Sequence, residues 1–193
     1  LTLVGGLATT LYQRNKAQKR FNEVRQLANS FLFEFHDAIE NLPGSTAARE
    51  LVVKRAIEYL DTLAAESEND PVLQRELGTA YSKIGEIQGN SYHSNLGDTD
   101  GALKSYRRSL EIRQKLVDRD PRNSELLHEL ADSYEGVGDI LYTVNDLKGG
   151  LESYEKAIAI RDGIVAQNPE NLNYRYSLAN VLGKRGDISG MEG

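Results

Sequence analysis

The sequence has no cysteine among its 193 residues. It therefore forms no disulfide, offers no thiolate to a metal and has no thiol nucleophile; either redox compartment suits it. Four prolines leave room for long, unbroken helices. Val, Ile and Thr never alternate with polar residues over a strand's length, so no strand is expected. The three histidines, His36, His93 and His128, are far apart in sequence and lack metal-ligand spacing, and no Ser/His/Asp set can be argued. Asp98 and Asp100 begin like a calcium loop, but the glutamate such a loop needs at its twelfth position is missing. Asp98, Thr99 or Asp100 is expected instead to cap the helix that starts near Gly101. Gly183 and Gly186 bracket Lys-Arg with no strand before them, which excludes a phosphate loop. A formal net charge of −6 argues against nucleic acid as a partner. No catalytic residue, cofactor or metal site is expected.

What is present is repetition. Residues 102–121, ALKSYRRSLEIRQKLVDRDP, match residues 150–169, GLESYEKAIAIRDGIVAQNP, at seven positions: Leu103/Leu151, Ser105/Ser153, Tyr106/Tyr154, Ile112/Ile160, Arg113/Arg161, Val117/Val165 and Pro121/Pro169. Shared apolar surface falls at 103, 106, 110, 113 (the stem of an arginine) and 117. Those steps of three and four define one face of a helix. A helix that recurs with the same buried face indicates a repeat protein. The hydrophobic fraction of 39% is low for a compact two-layer core but sufficient for an array in which every helix keeps a wet face.

A second signature recurs three times: Leu77-Gly78-x-x-Tyr81-x-x-x-Gly85-Glu86-Ile87, then Leu130-Ala131-x-x-Tyr134-x-x-x-Gly138-Asp139-Ile140, then Leu178-Ala179-x-x-Leu182-x-x-x-Gly186-Asp187-Ile188. The small residue after each Leu permits close approach of a neighbouring helix, and the tyrosine fills the gap one turn on. Tyr134 to Leu182 spans 48 residues, as does Tyr106 to Tyr154, whereas Tyr81 to Tyr134 spans 53. The five extra residues belong between Gly85 and Ala102, in the longest loop, which carries Tyr92 and His93. Asp70 is placed to cap the helix that opens with Pro71.

The N-terminal part reads differently. The chain begins at Leu1 and its single methionine is Met191, so a longer parent polypeptide is expected. Residues 1–12, LTLVGGLATTLY, are apolar and uncharged but too few to span a bilayer. They read as the end of a membrane helix or as an ordinary apolar helix start. Arg14, Lys16, Lys19, Arg20 and Arg25 against Glu23 give residues 13–26 a net charge of +4, leaving −10 for the rest. Such a segment suits a membrane surface or a solvated helix face. From Phe21 an apolar stripe runs through Val24, Ala28, Phe31, Phe35, Ala38 and Leu42, and all four phenylalanines lie between 21 and 35. Pro43-Gly44 ends that helix. The next, over 46–66, is to be capped by Ser45 or Thr46 and to bury Val53, Ala56, Ile57, Leu60, Leu63 and Ala64.

The pattern Leu-Gly/Ala-x-x-Tyr, followed by Ala102-x-x-x-Tyr106 and a closing Pro121, resembles the tetratricopeptide repeat. In the second copy it reads Leu130, Ala131, Tyr134, Gly150, Tyr154, Ala157 and Pro169. The period of 48 exceeds the usual 34 or so of that repeat, and the early tryptophan of its consensus is absent, so the helices must be longer. The resemblance implies an all-α, right-handed superhelix of antiparallel helical hairpins with extended helices, about seven in all. Residues 1–19 would form the membrane-helix end and basic flank, 20–70 a helical hairpin, and 71–193 the repeats, divided into 71–121, 122–169 and a partial 170–188. Residues 20–67 also resemble the segment that follows the membrane helix in bacterial receptor-type serine/threonine protein kinases. That family places its repeats outside the cytoplasm, although a basic flank at 14–25 favours the cytoplasmic side. No Gly-rich loop, His-Arg-Asp or Asp-Phe-Gly occurs in the sequence, so any catalysis would lie outside this chain.

What the resemblance implies here is a non-catalytic groove for a protein or peptide, lined by the first helix of each hairpin. The candidates are Arg75, Thr79, Ser82 and Lys83 in the first unit, His128, Asp132 and Glu135 in the second, and Tyr176, Asn180 and Lys184 in the third. Relatives that clamp a peptide carboxylate use Lys and Asn at the first two matched positions. Here the pairs are Arg75/Thr79, His128/Asp132 and Tyr176/Asn180, which do not make that clamp. The alternative function is a homodimerising element, pairing through the Phe-rich stripe or by stacking the open repeat end. The last unit has a single helix, 172–188, and so one apolar side without a neighbour.

Overall fold

The computed structural model describes residues 44–66, 70–90 and 95–190. Six helices account for nearly all of them: α1 (Thr46–Glu66), α2 (Pro71–Gly89), α3 (Thr99–Arg119), α4 (Ser124–Thr143), α5 (Leu147–Gln167) and α6 (Leu172–Ser189). Among the described residues there is no strand. The membrane-helix end, the basic flank, the Phe-rich stripe, His36, Tyr92, His93 and Met191 lie outside them. The chain divides into two compact units, residues 1–52 and 53–193. Of the first, only 44–52 are described: Gly44 turns at φ +80, and the Ser45 carbonyl accepts the Arg49 N–H at 2.9 Å in the opening turn of α1.

The second unit holds the repeats. Its part of α1 buries Val53, Ala56, Leu60, Leu63 and Ala64, the expected stripe apart from half-buried Ile57. Each later helix starts on a side-chain cap that satisfies otherwise orphaned N–H groups. Asp70 accepts from Val72 and Leu73, with Pro71 in the first turn. Asn123 and Asn171 cap α4 and α6 in the same way. Asp98 and Asp146 cap α3 and α5 through the N–H groups of Gly101 and Gly149. The caps thus alternate in type between first and second helices of the hairpins.

Helices adjacent in sequence pack together: α2 on α3, α3 on α4, α4 on α5 and α5 on α6. First helices also touch, α2 with α4 and α4 with α6. The core runs through these contacts as linked clusters, one around Ala102, Tyr106, Val137 and Ile140 and one around Ala131, Tyr154, Ala157, Val181 and Ile188. This is an all-α, tetratricopeptide-like helical repeat.

Two glycine contacts set the helix spacing. A Cβ on Gly138 would lie 2.5 Å from the Tyr154 ring, and one on Gly85 2.8 Å from the Tyr106 ring. Gly136 abuts Tyr106 from the opposite side. Each second-helix tyrosine therefore lies flat against backbone that only glycine exposes.

The longer α2–α3 connection is bounded by the same bond as its short counterpart. Asp98 N–H donates to the Gln88 carbonyl at 2.8 Å, and Asp146 N–H to the Leu141 carbonyl at 2.8 Å. The extra residues of the first repeat fall inside that bracket. Gln88 adds a polar latch, its Nε2 donating to Asp98 (2.9 Å) and its Oε1 accepting from Ser105 (2.6 Å); Leu141 takes its place in the second repeat.

Candidate partner-binding face

The matched arginines organise the side where first helices adjoin. Arg161, 3% exposed, reaches from α5 between α4 and α6. It donates to Asp132 at 2.7 Å, to Glu135 at 2.5 Å and to the Ser177 carbonyl at 3.0 Å. Lys184 of α6 continues the chain of charges, 2.7 Å from Glu135 and 2.8 Å from Asp139. Tyr154 donates its hydroxyl to Asp139 at 2.8 Å, and Asn180 its amide to Glu135 at 3.0 Å. A ladder of alternating sign thus fastens α4, α5 and α6.

Arg113 occupies the same place one repeat earlier with different partners. Its guanidinium donates to the Glu129 carbonyl (2.7 Å) and the Ser133 hydroxyl (2.9 Å). Positions 132 and 135 of α4 correspond to Thr79 and Ser82 of α2, so α2 presents hydroxyls where α4 presents carboxylates. Burial pushes the Arg113 guanidinium below its ordinary range, against the pull of Glu129 and Asp132. Between α2 and α4 the charge pairing shifts outward, where Arg75 meets Glu125 at 2.9 Å and Glu129 at 2.6 Å.

Burial raises the Glu135 carboxyl, but Arg161 and Lys184 outweigh it and hold the group below the ordinary glutamate range. For Asp139 burial wins over Lys184 and Tyr154, and its carboxyl sits above the ordinary aspartate range. Lys184 is raised: its two carboxylates outweigh the effect of burial.

The ten candidate residues take distinct positions. Glu135 is buried in the ladder, and Asp132, Asn180 and Lys184 join it from the rim. Arg75 is ion-paired across to α4, and Lys83 pairs within its own helix with Glu86 at 3.1 Å. Thr79 is exposed and donates to the Arg75 carbonyl at 3.2 Å; Ser82 is half-buried. His128 is half-buried, its ring 5.2 Å from that of Tyr174 and its Nε2 3.9 Å from Asp132. Tyr176 is 76% exposed. All three candidate cations, Arg75, Lys83 and Lys184, are therefore matched by carboxylates of the protein itself.

Sequence reasoning missed Arg161, Asp139, Glu125 and Glu129 as members of this face. One signal was available. Arg113 and Arg161 align on an apolar stripe, and a buried guanidinium needs a carboxylate or several carbonyls; the acidic residues one repeat-helix earlier are the nearest supply. A separate cavity of about 470 Å³, lined by Ala64, Gln74, Arg108, Ile112, Lys115 and Arg119 among others, contains none of the ten. Among the described residues no group of three or more His, Asp or Glu side chains is placed to hold a metal. No helix among them is long and apolar enough to cross a membrane.

A family model described as tetratricopeptide repeat matches residues 89–123, from the last residue of α2 to the cap of α4. The sequence matches none of the curated proteins with which it was compared.

Proposed function

We propose that this tetratricopeptide-like array is a protein-interaction module without catalytic activity of its own. Its binding surface is the groove along the first helices, where Thr79, Asp132 and Asn180 hold the same position in α2, α4 and α6. The observation that carries this reading is the neutralisation of Arg75, Lys83 and Lys184 inside the protein. With its cations already occupied, the groove suits an extended segment held by backbone and side-chain hydrogen bonds rather than by a carboxylate grip. The partner is a peptide or protein; the acidic balance of the chain speaks against nucleic acid.

The test is selection of binders from a random peptide library, followed by calorimetry. Alanine at both Thr79 and Asn180 should weaken the selected peptides at least tenfold with helicity unchanged, and amide shifts on binding should map to α2, α4 and α6. Shifts confined to α3 and α5 would refute the groove.

On the resemblance of residues 20–67, we further infer that the chain follows the membrane helix of a bacterial receptor-type serine/threonine kinase, on the extracytoplasmic side. The parent would be anchored by the helix that ends near Tyr12. Kinase motifs and a full span encoded upstream of Leu1 would support this placement, and their absence would remove it. A dimerising role is favoured by the Phe-rich stripe at 21–42. Sedimentation of residues 20–193 decides it, since a strict monomer at high concentration excludes pairing.

A further inference from the structure

The cavity of about 470 Å³ lies between α1, α2 and α3, within the second unit. Its floor is apolar: Ala64 of α1 and Ile112 and Leu116 of α3, all buried. Its rim is basic, with Arg108, Lys115 and Arg119 on one face of α3 against the single carboxylate of Glu111. This local excess of positive charge sits on a chain whose net charge is −6. The rim cations are not equivalent. Arg108 is pinned, 3.1 Å from Glu111 and hydrogen-bonded to the Tyr81 hydroxyl, which itself donates to Asp61 at 2.5 Å. No carboxylate pairs with Lys115 among the described residues. In the first-helix groove every candidate cation has such a partner.

The next repeat supplies an internal comparison. Its wedge between α3, α4 and α5 has Val117 where the first has Ala64, each seven residues before the following first helix begins. It has Leu127 for Gln74, and Gly163 and Gln167 for Lys115 and Arg119. Arg108 alone keeps a charged counterpart, Lys156, which lies 5.5 Å over the ring of Tyr134, the match of Tyr81. The charge at 108 therefore belongs to the framework of the repeat. The pair at 115 and 119 does not: it stands at the wedge where Ala64 leaves out the two methyl groups of a valine. Space, apolar lining and the unpaired charge of Lys115 coincide there. A cavity of this size takes a small molecule, and a cleft dominated by one sign of charge over low-dielectric walls concentrates ions of the other.

We propose that this cavity binds a small organic anion, its apolar part against Ala64, Ile112 and Leu116 and its acidic group between Lys115 and Arg119. The cavity shares no residue with the first-helix groove, so the two readings fail independently. The probes are phenyl phosphate, phenylacetate and inorganic phosphate, titrated into the 193-residue chain and followed by calorimetry and amide shifts. Saturable binding of at least one aromatic anion is expected, with shifts at Ala64, Ile112 and Leu116; the tighter of the two identifies the acidic group. Inorganic phosphate, which leaves the floor unused, should bind at least tenfold more weakly. Lys115→Gln with Arg119→Gln should weaken the aromatic anion at least tenfold, and so should Ala64→Val, which restores the volume found at Val117. Both variants should keep the parent helicity, and Lys148→Gln, on α5, should change affinity less than twofold. Absence of saturable binding, or binding indifferent to the 115/119 pair or to Ala64→Val, overturns the proposal. So does binding that appears only in Glu68→Gln, which would assign the rim cations to the chain's own carboxylate.

Discussion

Two arginines in identical positions rest on different chemistry. Removing Arg161 leaves Asp132 without its close cation and Glu135 with Lys184 alone, a loss of about 3 kcal/mol, the low end for a buried pair because Asp132 reaches solvent. Removing Arg113 takes a charged donor from the Glu129 carbonyl and from the Ser133 hydroxyl, which keeps Ser109 at 3.0 Å, a loss of about 1–2 kcal/mol. Arg161→Ala is therefore expected to lower the urea midpoint further than Arg113→Ala. Equal effects would mean that the carboxylates near Arg161 relax into water. The pH response follows from the same residues. Glu135, held low when folded, contributes stability above its ordinary value of 4.5 and loses it as pH falls through the folded value. Asp139, held high, has the opposite sign: its ionised form is a burden at neutral pH that acidification removes. Glu135→Gln should thus flatten the acid limb of stability against pH, and Asp139→Asn should steepen it. Melting temperatures between pH 3 and 6 measure both.

Helix contacts give glycine two opposite roles at one repeat position. Alanine at Gly138 would drive a methyl into the Tyr154 ring, and overpacking of this kind costs about 1–3 kcal/mol. Alanine at Gly186 meets open space and removes a flexible residue from a helix, a gain of roughly 0.5–1 kcal/mol. Thermal melts of the two variants should move in opposite directions. The sequence announced most of the elements because its signals were local. Asp70-Pro71 marked the start of α2, the stripe from Val53 to Ala64 marked α1, and Asp98 stood among the expected caps of α3. The pairing of Gly85 with Tyr106 and of Gly138 with Tyr154 was not legible, although both motifs were. Each motif recurs at its own spacing, and nothing local states that one is seated in the other. The ladder from Asp132 to Asp139 was half-legible for a related reason: Asp132 and Glu135 stood among the groove candidates and Asp139 did not, and the arginine that gathers the first two comes from the following helix.

At the scale of the repeat unit, stability is set by neighbours. α4 touches α2, α3, α5 and α6, whereas α6 keeps Leu172, Tyr176 and Leu182 in solvent. Opening should cost most at α4 and least at α6. Hydrogen exchange is expected to be at least tenfold slower in the central turns of α4 than in those of α6; uniform exchange would instead indicate a single cooperative block. The bond from Asp98 N–H to the Gln88 carbonyl carries one more implication. Its twin in the second repeat closes a far shorter connection, so the array tolerates spare chain at this site without disturbing either helix. Closing a longer loop grows costlier only slowly, about 0.6 kcal/mol for each doubling. The first connection is thus a natural grafting point, a place to splice in an epitope or a protease site while leaving the scaffold as it is.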